Sequence, residues 1–274
     1  MYYRQHYPGS ALNDCIECFW IMRMSLEPKE HMDRLVPGGR IELIFNFSSP
    51  ISWMQDENGD CSGKLSDSHL MGQRSKVYYA SLKGPLFLMG VRFKPAGLSA
   101  FTKLPAANLL NGLVEAEQVF DSSIRNWKER LLACACDEDR FLLLEELMLA
   151  LCKTKPDQWN QVNAMIGQFR QQSAQYSIEQ VCARMQVNYK KLERVFHQYA
   201  GYSPKQYSSL IRFNHAIRKI SKGNDSLTST GLDCGYYDQS HFIKDCIRFT
   251  GTTPGRLRTD ENTIAGILLA NQAV

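Results

Sequence analysis

Hydrophobic and polar positions change their period along this 274-residue chain. Up to about residue 104 the period is two. In Ile41-Glu42-Leu43-Ile44-Phe45-Asn46-Phe47, the side chains of Ile41, Leu43, Phe45 and Phe47 share one face of a strand, and Glu42 is expected on the opposite, solvent side. Cys18–Met24 and Leu86–Phe93 are further β-prone runs, rich in aromatic and branched residues. Turn signals separate them at Pro37-Gly38-Gly39, Ser48-Ser49-Pro50 and Glu57-Asn58-Gly59-Asp60. Short strands parted by such turns predict a β-sandwich or small barrel. From Asp121 to about Lys153 the period becomes helical. Ile124, Trp127, Leu131 and Ala135 recur every three or four residues, with Asp121 as the expected N-cap. Asp137-Glu138-Asp139 then opens a second helix, whose stripe is Phe141, Leu144, Met148 and Leu151. Pro156 marks a boundary, beyond which the chain reads as helical to about Arg258.

Internal similarity sharpens that last stretch. Leu192-Glu-Arg-Val-Phe196-His-Gln-Tyr-Ala-Gly201-Tyr-Ser-Pro204 aligns with Phe242-Ile-Lys-Asp-Cys246-Ile-Arg-Phe-Thr-Gly251-Thr-Thr-Pro254 at a constant offset of 50 residues. Gly201 and Gly251 suit the left-handed position that closes a helix. Ser203 and Thr253 are good N-caps, and Pro204 and Pro254 fit the first turn of the next helix. Upstream, Ile178–Cys182 parallels Leu227–Gly231 at an offset of 49. Each unit is a short helix, a tight turn and a longer helix: a helix-turn-helix, present twice. Ser203 to Lys222 reads as one connecting helix ended by Gly223. Twenty residues at 1.5 Å rise give about 30 Å, close to the roughly 34 Å between successive major grooves on one face of DNA.

The longer helices have distinct faces. In the first, Leu192, Phe196 and Tyr199 point inward, while Lys190, Glu193, Arg194 and His197 form a polar stripe. In the second, Phe242, Cys246 and Phe249 point inward, and Ser240, Ile243, Lys244 and Ile247 outward. Charge supports a polyanionic partner. The formal net charge is +4, but Ser177–Arg258 holds 13 Lys and Arg against 6 Asp and Glu, or +7, leaving −3 elsewhere.

Residues 177–258 resemble the AraC/XylS-type DNA-binding domain, through GYSPKQY (Gly201–Tyr207), Arg212 followed by Ala216, and GYYDQSHF (Gly235–Phe242). The N-terminal part resembles the cupin-like effector domain found with such domains, through VPGGRIELIFN (Val36–Asn46), GVRFKPAG (Gly90–Gly97) and KLPA (Lys103–Ala106). The resemblance implies an α+β chain in which a β-sandwich or cupin-like barrel with a helical region precedes an all-α double helix-turn-helix domain. The expected divisions are 1–120 for the effector domain, 121–155 for a connecting and possible dimerisation region, 156–258 for the DNA-binding domain and 259–274 for a tail. It also implies a bacterial transcription regulator rather than an enzyme. Its partners would be double-stranded DNA, RNA polymerase, an unidentified small-molecule effector and a second copy of the chain. By the resemblance, Lys190, Glu193 and Arg194 would read bases with Lys191 nearer phosphate, joined by His197, and in the second unit Ser240, Ile243 and Lys244 occupy the matching positions, with Gln239 just ahead of them. Three residues depart from the family pattern: Cys246 replaces a large aromatic, Gly231 an alanine and Thr230 a branched apolar residue. They predict a loosely packed second unit that discriminates bases weakly.

Other chemistry is thinly supported. Hydrophobic residues at 44% and charged residues at 22% match a soluble globular chain. The longest apolar runs, Leu86–Val91 and Ala265–Ala270, fall far short of the roughly 18 residues of a membrane helix. The first residues, MYYRQHYPGS, lack the apolar core of an export signal, so a cytoplasmic protein without a membrane partner is expected. Nine irregularly spaced cysteines suggest buried reduced thiols rather than a disulfide framework. Cys15 and Cys18 form a CxxC, which leaves a thiol- or metal-responsive regulator as an alternative. Yet residues three apart on a strand face opposite ways, and no second ligand pair follows. No cofactor or metal site is expected, and Cys134 and Cys136 are read as helical thiols. The signatures of the DNA-repair enzymes sometimes fused to such domains are absent. For effector binding, Arg40, Arg92 and Trp20 are the candidates, with Glu42, Lys94, Trp53 and Phe93 as further neighbours. The 121–153 helices carry more apolar residues than one sheet needs to cover, which predicts a self-association or interdomain surface.

Overall fold

The period-two runs become ten antiparallel strands in a computed structural model that describes residues 2–9, 11–26, 30–56, 61–153, 159–172, 176–222, 231 and 233–257. They are β1 (Tyr2–His6), β2 (Ile16–Met24), β3 (Glu30–Leu35), β4 (Glu42–Asn46), β5 (Ile51–Met54), β6 (Cys61–Leu65), β7 (Ser68–Met71), β8 (Tyr78–Lys83), β9 (Leu86–Phe93) and β10 (Leu113–Glu115). One sheet has the order β1-β2-β9-β4-β7-β10 and the other β3-β8-β5-β6. Alternation in β2 and β9 sends Trp20, Met22 and Leu88 to a core that includes Trp53 and Tyr78 of the second sheet. It sends Phe19, Ile21, Met89 and Val91 to the other face, into a core shared with the helices.

That second core explains why the larger sheet is hydrophobic on both sides. Its outer face is covered by α1 (Ala116–Phe120), α2 (Trp127–Ala133) and α3 (Asp137–Leu151), with Phe45 stacked 6.4 Å from Trp127 and His6 5.3 Å from Phe141. Arg23 donates two hydrogen bonds to Asp137, at 2.7 and 2.6 Å, and so ties β2 to the start of α3. This pairing holds the Asp137 carboxyl down at about 2.

Three expectations are corrected here. Glu42 does point away from Ile41 and Leu43, but that side faces the second sheet rather than water, and there it pairs with Arg92 at 2.7 Å. Asp121 is not the N-cap of α2: it adopts φ 58° at the end of α1, where a single 3-10 turn follows, and α2 starts only at Trp127. Cys134, Ala135 and Cys136 fall between α2 and α3, where the Cys136 sulfur accepts the Asp139 N–H at the start of α3. The 57–60 turn, Pro156, Gly223, the 227–230 segment and the tail from 259 lie outside the described residues.

The helical half runs α4 (Trp159–Gln172), α5 (Ile178–Arg184), α6 (Tyr189–Val195), α7 (Pro204–Lys222), α8 (Gln239–Thr250) and α9 (Pro254–Leu257). Phe196–Ala200 continues α6 as a π turn. Phe196 anchors the first unit, with its ring 4.7 Å from Phe169 of α4 and 5.2 Å from Tyr207 of α7. In the second unit Phe242 and Cys246 are fully buried, and Phe249 lies 4.9 Å from Phe213 of α7. The expected looseness around Cys246 is not seen among the described residues. A polar anchor adds to this packing: buried Asp245 accepts hydrogen bonds from Ser209 of α7 at 2.8 Å and from Tyr236 at 3.4 Å. Burial, reinforced by that carboxylate, raises the Tyr236 phenol well above its ordinary value.

Hydrogen bonds to a charged group contribute about 1.5–3 kcal/mol each, and their buried donors lose that when the acceptor goes. Asp245→Ala is therefore expected to destabilise the protein by about 2 kcal/mol or more in urea denaturation followed by circular dichroism. Asp245→Asn, which keeps an acceptor for Ser209, should lose less. Equal stability of the alanine variant and the wild type would remove Asp245 as the anchor of α8.

Candidate nucleic-acid interface

The two long helices of the repeated units, α6 and α8, begin alike. Asn188 caps α6 by accepting the Lys191 N–H at 2.8 Å, and Asp238 caps α8 by accepting the His241 N–H at 2.7 Å. A capping box at Ser177 and Gln180 starts α5, and a second at Ser203 and Gln206 starts α7. Both units also end alike, with Gly201 at φ 76° and Gly251 at φ 71°. The helix-turn-helix punctuation is thus physical: caps fix where each helix starts, and a left-handed glycine fixes where it stops.

Between these limits, Lys190, Lys191, Arg194 and His197 are exposed on the first unit and Glu193 is half-buried, accepting a hydrogen bond from Tyr189 at 3.3 Å. On the second unit Gln239, Ser240 and Lys244 are exposed, Ile243 is half-buried and Ile247 is exposed. Leu192, Phe196, Phe242, Cys246 and Phe249 are buried, and Tyr199 is half-buried against the core. Each long helix therefore presents most of its polar candidates in its first half, with His197 further along, in the π turn that follows α6. Helix α7, which joins the units, has 19 residues and a length of about 28 Å.

Sequence reasoning missed the contacts that seat these helices on the sandwich. The segment Gln73–Val77 touches the ends of both. The Gln73 side chain donates to the Ala200 carbonyl at 2.5 Å, Tyr202 donates its hydroxyl hydrogen to the Arg74 carbonyl at 2.8 Å, and the Val77 N–H donates to the Arg248 carbonyl at 2.9 Å. Asn111 braces the segment from behind. Its backbone N–H donates to the Gln73 carbonyl at 2.7 Å, and its side-chain oxygen accepts the Ser75 N–H at 2.8 Å. The two closing glycines face the same surface. A Cβ on Gly201 would come within 2.5 Å of the Gln73 side chain, and one on Gly251 within 2.8 Å of the Tyr79 hydroxyl oxygen. Nothing in the local sequence around Gln73 signals this role. Asp245 was missed too, although its spacing from Phe242 and Phe249 puts it on their inward face and could have signalled it.

The effector-side candidates separate into two places. Trp20 and Trp53 line an apolar cavity between the sheets, of about 690 Å³ with its mouth, whose rim carries Glu42 and Arg74. Arg40 and Arg92 line a second cleft, between the sandwich and helices α4 and α7. Phe93 packs in the core against Phe101, while the Lys94 side chain points to Asn13 at 3.5 Å. Cys15 and Cys18 are both buried but belong to different cores, the first on the helix side and the second between the sheets. Burial pushes the Cys18 thiol up to about 12. Among the described residues no three His, Cys, Asp or Glu side chains converge as metal ligands. Thiol reagents should therefore modify exposed Cys61 and Cys136 in the native protein and leave Cys15 and Cys18 unmodified until it unfolds. Mass mapping after a short iodoacetamide pulse checks this, and early labelling of Cys18 would restore the thiol-sensor alternative.

Comparison with known proteins agrees with both halves. Residues 181–260 match the model of a helix-turn-helix domain, and residues 4–115 match a domain of unknown function (DUF6597). The HTH-type transcriptional regulator ArgR of Pseudomonas aeruginosa is 32% identical over 88 residues, covering 32% of this chain and 26% of that protein. The HTH-type transcriptional activator RhaS of Escherichia fergusonii is 25% identical over 126 residues, covering 44% of this chain and 45% of that protein. The chain thus spans less than half the length of each of these curated relatives. Among solved structures, unsaturated fatty acid-bound ToxT from Vibrio cholerae superposes with a TM-score of 0.50 at 10% identity, covering 90% of this chain and 96% of that one. That likeness is one of fold: a β-rich N-terminal domain followed by a helical one. The chain carries an AraC/XylS-type helix-turn-helix domain in residues 181–260, behind an N-terminal domain of the DUF6597 kind.

Proposed function

We propose that the protein is a sequence-specific DNA-binding regulator of transcription, modulated through its N-terminal domain, and not an enzyme. The observation that carries this reading is the matched pair α6 and α8: a side-chain cap at each start (Asn188 and Asp238), a left-handed glycine closing each unit and exposed polar side chains in the first half of each, in the most basic stretch of the chain. A duplex groove accepts a helix presented in this way, and α7 has the length to set two such helices on successive turns. On this reading Lys190, Glu193 and Arg194 meet base edges, with Lys191 and His197 flanking them. Gln239, Ser240 and Lys244 follow in the next groove, and Ile243 and Ile247 offer apolar contact to thymine methyls. The working site is the cytoplasm, with RNA polymerase as a further partner. Among the described residues no helix is long and apolar enough to cross a membrane.

The apolar cavity with Trp20 and Trp53 in its wall is the place for a small-molecule effector, because an apolar concavity bordered by few polar groups suits one. Exposed Leu132, Leu142 and Leu149 on α2 and α3 support a homodimer through that face. The division of the chain near residues 120 and 155 belongs to the same reading.

DNA affinity of the full chain should fall steeply with salt, with a slope of about 0.9 per phosphate neutralised. Arg194→Ala should cost about 1–3 kcal/mol and relax base preference, as for a guanidinium bidentate to guanine. Lys244→Ala should cost less. Anisotropy titrations on selected duplexes measure both. A flat salt response would overturn phosphate-led binding, and strong base preference confined to the duplex under α8 would reverse the ranking of the two helices.

A further inference from the structure

The cleft between the sandwich and helices α4 and α7 has an unusual charge balance. Five guanidinium groups line it: Arg40, Arg74 and Arg92 from the sandwich, Arg170 from α4 and Arg218 from α7. Among the described residues, two carboxylates share the lining with them. Glu17 pairs with Arg40, and Glu42 pairs with Arg92 at 2.7 Å. Leaving aside Arg218, which has a partner of its own, the lining therefore carries two more positive charges than negative ones.

Burial makes this imbalance costly. The Arg74 and Arg92 side chains are more than nine-tenths buried. The Arg74 Nε and the Arg92 Nη1 have no hydrogen-bond partner among the described residues, and neither has the Asn214 Oδ1 opposite them. Arg74 already spends its other nitrogens on the Val36 carbonyl and the Met71 sulfur. Burial lowers the proton affinity of Arg74, Arg170 and Arg218, and neighbouring guanidiniums lower it further. Like charges held together away from water call for a counter-charge, since each unsatisfied buried donor has a desolvation cost with no return. The cleft opens to solvent, so a small molecule can reach its guanidinium groups from outside.

We propose that this cleft binds a small organic dianion, a dicarboxylate or a phosphate ester, held jointly by Arg74 and Arg92 of the sandwich and by Arg170 of the helical half. A single negative charge would leave the lining with one unmatched positive charge; two bring it to balance, and the planar guanidinium fork suits both carboxylate and phosphate. The site is distinct from the apolar cavity, although Glu42 and Arg74 border both. Its occupant would touch a residue of the clasp itself, because the Arg74 carbonyl accepts the Tyr202 hydroxyl hydrogen.

Calorimetric titration of the full chain without DNA tests this, using succinate, inorganic phosphate, butyrate and the neutral succinamide. Leaving DNA out means that failure here does not touch the DNA-binding reading. Saturable binding of succinate or phosphate, tighter than that of butyrate and absent for succinamide, is expected, and which of the two binds tells a dicarboxylate from a phosphate site. Arg170→Gln, at a half-exposed position, and Arg74→Met should each weaken that binding by about tenfold or more, as loss of a charge-assisted hydrogen bond does. If Arg74→Met fails to fold, Arg170→Gln decides. No saturable binding by either dianion, butyrate binding as tightly as the dianions, or undiminished binding in Arg170→Gln would each overturn the proposal.

Discussion

The last turn of a helix leaves carbonyl groups with no partner inside the helix, and a buried one must find a donor elsewhere. In this protein the N-terminal domain supplies such donors to both reading helices. The Ala200 carbonyl, at the end of the first, takes the Gln73 side chain; the Arg248 carbonyl, near the end of the second, takes the Val77 backbone N–H. Because both donors belong to one short segment, braced by Asn111, the two helices are referred to a common support as well as to each other through α7. The glycines that end the helices contribute by having no side chain. Their left-handed backbone closes each helix, and the missing Cβ lets the domain surface approach.

The second constraint is the larger sheet, which is covered on both faces. Helices α1 to α3 cover one and the smaller sheet the other, so every strand residue in its middle is buried whichever way it points. Charged groups can remain there only in pairs, as Glu42 and Arg92 do, or at an opening, as Arg74 does. The openings fall on the side where the helical half docks. Arginines from both halves meet there, and Arg74 belongs at once to the apolar cavity, the charged cleft and the segment that holds the reading helices. A ligand in either space would act on the same few residues. It would alter DNA binding only to the extent that it binds the clasped and released arrangements with different affinity.

Much of this was written in local chemistry. Glycine, serine and proline at fixed offsets around Gly201–Pro204 announced the helix boundaries, because those residues satisfy or refuse particular backbone states. Period-two runs placed β4 and β9 to within a residue or two. Alternation also assigned Glu42 to the face opposite Leu43, but it cannot say what covers a face, and that is why Glu42 was read as solvent-exposed. Asp121 carried the composition of a cap, yet its backbone turned left-handed before α2 began. The contacts of Gln73 and Arg74 lie 127 and 128 residues away in the chain, beyond the reach of any local pattern. Asp245 was missed although a signal existed: the helical period puts its carboxylate among buried positions, which calls for a partner without naming Ser209.

The claim that one segment of the sandwich holds both reading helices is tested most directly by hydrogen exchange at single amides. In the full chain the Val77 amide should exchange as slowly as amides within β9, since its hydrogen is donated to the Arg248 carbonyl. Tyr202→Phe, which removes the hydrogen bond to the Arg74 carbonyl, should speed exchange at Val77 while leaving β9 protected. Fast exchange at Val77 in the wild type, beside a protected β9, would mean that the helical half is not held by this segment.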